Sequence, residues 1–88
     1  MLIRSQDKKT LFNFNSTQFF NVGEHRKGAM IYANNLHPAG EYSTKEKALK
    51  VLDMIQETYE KYEYEKVFKT GITLFETFQM PEDSEVEA

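Results

Sequence analysis

The chain has no cysteine and no tryptophan, and only two prolines and four glycines in 88 residues. Without thiols there is no disulfide, no cysteine nucleophile, no Cys-x-x-Cys redox pair, no cysteine-based zinc finger and no iron–sulfur site. The absence also fits a reducing compartment, and a cytoplasmic location is expected. Long apolar runs are missing as well. The longest uninterrupted one is Ala29-Met30-Ile31-Tyr32-Ala33, whereas a membrane span needs about 20 residues. Met1-Leu2-Ile3 meets Arg4 at once, so neither a secretory leader nor a membrane partner is expected. Asn15-Ser16-Thr17 matches a glycosylation sequon, which has no consequence without secretion.

Signatures of catalysis are equally scarce. There is no Gly-x-Ser-x-Gly elbow, and Gly23-Glu24-His25-Arg26-Lys27-Gly28 lacks the Gly-Lys-Ser/Thr ending of a phosphate loop. His25 and His37 are the only histidines. With Glu24 and Glu41 they offer lone pairs to a metal, but no spacing gathers them and both read as solvated loop residues. Asp53 and Glu57 lie one turn apart on the polar side of a helix, where a solvated face explains them better than a pair of converging carboxylates. An enzyme is not expected, nor a metal or other cofactor.

What is present is apolar and aromatic. Forty per cent of the residues are hydrophobic, with seven phenylalanines and five tyrosines, too many for a disordered chain. The length suits one domain, whose core is thin because a chain of this size buries only about 60–65% of its surface. The net charge of −3 hides a gradient. Residues 1–30 set Arg4, Lys8, Lys9, Arg26 and Lys27 against Asp7 and Glu24. Residues 31–80 are slightly acidic, and after Pro81 the chain carries Glu82, Asp83, Glu85 and Glu87 with only Val86 and Ala88 as apolar groups. The expected organisation is a domain over residues 1–80 and a solvated, mobile acidic tail over 81–88. Such a tail keeps a small protein soluble, or covers the basic N-terminal part.

One helix is plain. Ser43-Thr44-Lys45-Glu46 has the form of a capping box, with Ser43 as the cap. Ala48, Leu52, Ile55, Tyr59 and Tyr62 then recur at steps of three and four, widened by Val51 and Thr58, while Lys45, Lys50, Asp53, Glu57 and Lys61 take the other face. The pattern predicts an amphipathic helix over about 44–62. Short strands are expected at 1–5 and 10–14, and a hairpin from 18–23 and 28–34. Residues 34–40 read as a loop from their turn-forming residues. A last strand is expected over 72–78, ended by Pro81. The fold class is α+β: a mostly antiparallel sheet of four to five strands with one helix on one face.

Three blocks carry a resemblance. Met1-Leu2-Ile3-Arg4-Ser5-Gln6-Asp7-Lys8-Lys9-Thr10-Leu11, the run from Gly40 to Gln56, and Phe78-Gln79-Met80-Pro81-Glu82-Asp83 resemble a group of small uncharacterised proteins of low-GC Gram-positive bacteria and their prophages. The resemblance implies a bacterial or phage cytoplasmic protein of one domain. It brings no catalytic or binding residue with it. Physically, the Gly40–Gln56 block sets how the chain enters its helix: Gly40 offers a backbone conformation other residues resist, and Tyr42 can staple onto Lys47 or Ala48.

Two binding functions follow from the surface. A helix covers only one face of a sheet, yet Phe19-Phe20 and Leu74-Phe75 put large apolar groups on both faces, and Tyr62, Tyr64 and Phe68 extend that patch. The first expectation is a protein-interaction module using Phe19, Phe20, Leu74, Phe75, Tyr64 and Phe68, with a protein partner or a second copy in a homodimer. The alternative is a nucleic-acid accessory protein that neutralises phosphates with Arg4, Lys8, Lys9, Arg26 and Lys27 and stacks bases on nearby rings.

Overall fold

Alternation of small and large apolar residues builds the centre of the molecule. The computed structural model describes residues 1–68 and 77–87, the side chains of 65–68 excepted. Strands β3 (Phe20–His25), β4 (Gly28–Ala33) and β5 (His37–Tyr42) form one antiparallel sheet in the order β3-β4-β5. Ala29, Ile31 and Ala33 of β4 are buried while Met30 and Tyr32 between them are half-buried, so the two sets point to opposite faces. Helix α1 (Lys45–Phe68) lies across all three strands on the first face. Its Ala48, Val51 and Ile55 are buried there. The small side chains of Ala29, Ala33 and Ala48 let the two layers approach closely.

A second sheet has the order β2-β1-β6, from β2 (Leu11–Asn13), β1 (Leu2–Arg4) and β6 (Thr77–Gln79). β1 pairs antiparallel with β2 and parallel with β6, which opposes Ile3 to Phe12 and to Phe78. Ile3 and Phe12 are buried. Rings join the sheets and the helix: Phe20 meets Phe12 edge-on and Phe14 in a stack, each at 6.1 Å, and Phe14 stacks on Tyr59 at 4.6 Å.

The α+β expectation, with one helix on one face of mainly antiparallel strands, describes this architecture. Its details change. There are six strands in two sheets among the described residues, and the segment expected as a loop over 34–40 supplies β5. The turn is only Asn34-Asn35-Leu36, where Asn34 and Asn35 take φ of 54° and 58° and Leu36 N–H bonds to Ala33 C=O at 3.2 Å. That is the type I′ geometry that suits a hairpin. The helix starts one residue later than the capping box suggested. Thr44 is the cap, its Oγ1 accepting from Lys47 N–H at 3.1 Å. It also runs past Tyr62 to Phe68, because no Gly or Pro interrupts it. Of the expected last strand, Thr77 and Phe78 lie in β6, while the rest falls outside the described residues.

Two glycines are held by sterics. Gly28 has φ +140°, and a Cβ there would land on the Tyr42 carbonyl oxygen. At Gly40 the reason is space rather than conformation. A Cβ would stand 3.0 Å from the Tyr42 ring and 3.2 Å from Met80 Cε.

The acidic segment is a correction. Residues 81–87 are docked on the body instead of extending as a solvated tail. Val86 is 4% exposed, inside the core cluster. Asp83 accepts from Ser43 N–H at 2.7 Å, and Lys47 donates to Asp83 C=O at 3.1 Å. Tyr42 is buried in the same cluster as Ala48, and its hydroxyl donates to Pro81 C=O at 2.8 Å. Composition hid this, since a single valine and one well-placed carboxylate suffice to tie down a short segment.

Candidate interaction face

The face of the β3-β4-β5 sheet away from α1 is set by register. Met30 stands opposite Gly23 and Glu41, and Tyr32 opposite Asn21 and Pro38. These residues therefore share the second face. Phe19 precedes β3, and its C=O accepts from Asn34 N–H at 2.8 Å. Alternation brings it to the same side as Asn21. Phe19 is 46% exposed; Met30 and Tyr32 are half-buried and Pro38 is exposed. The Tyr32 ring lies over Gly23, so that a Cβ on Gly23 would meet Tyr32 Cε2 at 2.9 Å. Asn34 Oδ1 accepts from the Gln18 and Phe19 amides, and Asn21 Nδ2 donates to Asn35 Oδ1 at 3.0 Å. These bonds hold the Phe19 end of the face in place. Asn21 Oδ1 is enclosed and accepts no hydrogen bond among the described residues.

One border of this face is a shallow cleft of about 270 Å³ between Met30 and Pro38 and the Ser5-Gln6-Asp7 turn. The turn is rigid. Ser5 donates to Asp7 Oδ1 at 2.6 Å, which also accepts from Lys9 N–H at 2.9 Å. Those two bonds, the Ser5 hydroxyl foremost, hold the Asp7 carboxyl below its ordinary range. Gln6 N–H donates to Ala39 C=O at 2.8 Å, while its side-chain amide donates to Glu41 C=O and accepts from Glu41 N–H, both at 2.9 Å. Gln6 thus pairs with the open edge of β5 as a neighbouring strand would.

A second cleft of about 360 Å³ shares Gln6 and Glu41 and is completed by Lys27, Ser43, Glu82 and Asp83. The Ser43 amide holds the Asp83 carboxyl below its ordinary range, helped by Lys47. Burial, reinforced by Glu82, Asp83 and Glu85, pushes the Tyr42 hydroxyl far up, so it stays a donor.

The sequence-predicted site residues divide. Phe19 lies on the open face. Phe20 does not: it turns inward against Phe12 and Phe14, because neighbouring strand residues point to opposite sides. Tyr64 is 61% exposed on α1. Leu74 and Phe75, and the Phe68 side chain, lie outside the described residues. The basic groups come from two parts of the chain. Arg4, Lys8 and Lys9 occupy β1 and the turn after it, where Arg4 Nε donates to Lys8 C=O at 3.2 Å. Arg26 and Lys27 form the β3–β4 turn, and Lys27 faces Glu41, Glu82 and Asp83. His25 and His37 sit at opposite ends of β4, paired with Gly28 and Ala33, and Glu24 is engaged by Lys45 at 3.0 Å. The face also includes Met30, Tyr32, Asn21 and Pro38, none of them among the residues expected for a protein contact. The usable signal was Ala29-Ile31-Ala33 interleaved with Met30-Tyr32, two faces of one strand.

Comparison with protein-family models, with characterised proteins and with solved structures finds no match to this chain. Among the described residues no helix is long and apolar enough to cross a membrane.

Proposed function

We propose that this protein is a small non-enzymatic binding module of the bacterial cytoplasm. Its contact surface is the sheet face bearing Phe19, Met30, Tyr32 and Pro38. One observation carries the reading: α1 takes one face of the sheet, and the opposite face keeps large apolar groups accessible beside polar Asn21 and Glu41. An apolar centre rimmed by polar groups is the common form of a protein contact surface. The division of the basic groups between two hairpin turns, with Lys27 set among acids, favours a protein over a nucleic acid.

The test is a photo-crosslinking amino acid placed at Tyr32, with Glu57 on the solvent face of α1 as the control position. Irradiation in cells should give a discrete protein adduct from position 32 and none from 57. Equal labelling from both positions, or no adduct from position 32, refutes the reading.

A further inference from the structure

The two edges of the β3-β4-β5 sheet are treated differently. The β5 edge is closed in three ways. It carries Pro38, which lacks an amide hydrogen. It has a bulge at Ala39, since Ile31 pairs with Gly40 but Tyr32 with Pro38. And Gln6 occupies Ala39 C=O and both backbone groups of Glu41. Among the described residues the β3 edge has none of these devices. Its six residues pair with β4 without a register shift, and Phe20–His25 contains no Pro, Lys or Arg. Such features ordinarily blunt an edge against pairing with another chain.

Hydrogen-bond phase shows which groups are open. Phe19 C=O bonds to Asn34 N–H, so Phe19, Asn21, Gly23 and His25 turn their backbone groups toward β4. Phe20, Val22 and Glu24 turn theirs outward. Among the described residues these three have no backbone partner outside their own sheet.

We infer that β3 pairs antiparallel with β3 of a second copy about a two-fold axis through Val22. This register matches the open phase, because Val22 exchanges both backbone bonds with its own equivalent. It sets Phe20 against Glu24 and Phe19 against His25 of the other copy, and no two like charges oppose each other. The ladder joins both sheets into one of six strands, with both α1 helices on one side and both Phe19–Tyr32 faces on the other. The inference rests on the proposed function only in taking this sheet as the contact surface.

The experiment measures mass by light scattering behind a sizing column, and amide exchange by NMR across a concentration series of the full chain. The expected result is a mass of two chains, with the Phe20, Val22 and Glu24 amides becoming protected as concentration rises. V22P removes an outward N–H while leaving the bonds to β4 in place, so it should be a folded monomer. If that variant does not fold, wild-type exchange decides alone. A single-chain mass at the highest concentration reached overturns the inference. So does a dimer that leaves those three amides unprotected, or protection that arises only when a foreign extended peptide is added. A dimer without a Tyr32 adduct would refute the proposed function and leave this pairing standing; an adduct from a monomeric chain would do the reverse.

Discussion

Pro81 C=O is a shared acceptor, and removing its donors one at a time tests how the C-terminal segment is held. Tyr42 Oη donates to it at 2.8 Å and Gln6 Nε2 at 3.1 Å. In Tyr42→Phe the ring still fills a site that is 1% exposed, and Pro81 keeps Gln6 as a partner. No group is orphaned, so the loss is the net worth of one neutral hydrogen bond, about 1 kcal/mol. For a domain of this size that lowers Tm by about 4–8 °C. Gln6→Ala removes the second donor together with the two bonds to Glu41. In the double variant the half-buried Pro81 carbonyl has neither donor, and leaving such a group unsatisfied adds about 1–3 kcal/mol. The double variant should therefore be less stable than the two single losses together. Chemical denaturation of the four proteins, with the slope unchanged, measures this coupling. Additivity within about 0.5 kcal/mol would refute the shared-acceptor reasoning.

Gly28→Ala puts a side chain at φ +140° onto the Tyr42 carbonyl, and a loss of about 1–3 kcal/mol or more is expected in the same denaturation assay. Phe20→Leu removes both ring contacts, to Phe12 and Phe14, and should cost about 1–2 kcal/mol beyond the change in area; a smaller effect than Leu49→Ala, on the half-exposed side of α1, would contradict the role given to the ring cluster. Acid should act through Asp7 and Asp83, whose carboxyls sit below the ordinary 3.8 in the folded chain. Their stabilisation is present above the unfolded pKa and is lost as pH falls through the lower folded values. Thermal melts should show no loss from this source between neutral pH and about 4, then a fall that is shallower in Asp83→Asn.

Much of the architecture was readable along the chain because it depends on neighbours in sequence. The α1 stripe from Ala48 to Tyr59 follows the helical repeat, and β4 follows the strand repeat. The hairpin at Arg26-Lys27 follows from its flanking apolar runs. The helix starts one residue past the expected cap: Ser43 and Thr44 both offer a hydroxyl, but Thr44 Oγ1 takes the Lys47 N–H, while Ser43 is tied through its own N–H to Asp83. The candidate site was less legible. Phe19 and Phe20 look alike in the chain, and the strand phase separates them, sending Phe20 into the ring cluster and Phe19 outward.

Local pattern therefore determined the class of the fold, the course of the helix and most of the strands, since those depend on backbone preference and on residues a few positions apart. Tertiary structure decided what depends on groups distant in sequence. It divided the strands into two sheets, made β5 from a segment rich in turn formers by giving its edge to Gln6, and docked the acidic end through Asp83 and Val86. Among the described residues it also left one face of the β3-β4-β5 sheet without a covering helix, because a single helix can cover only one side of three strands.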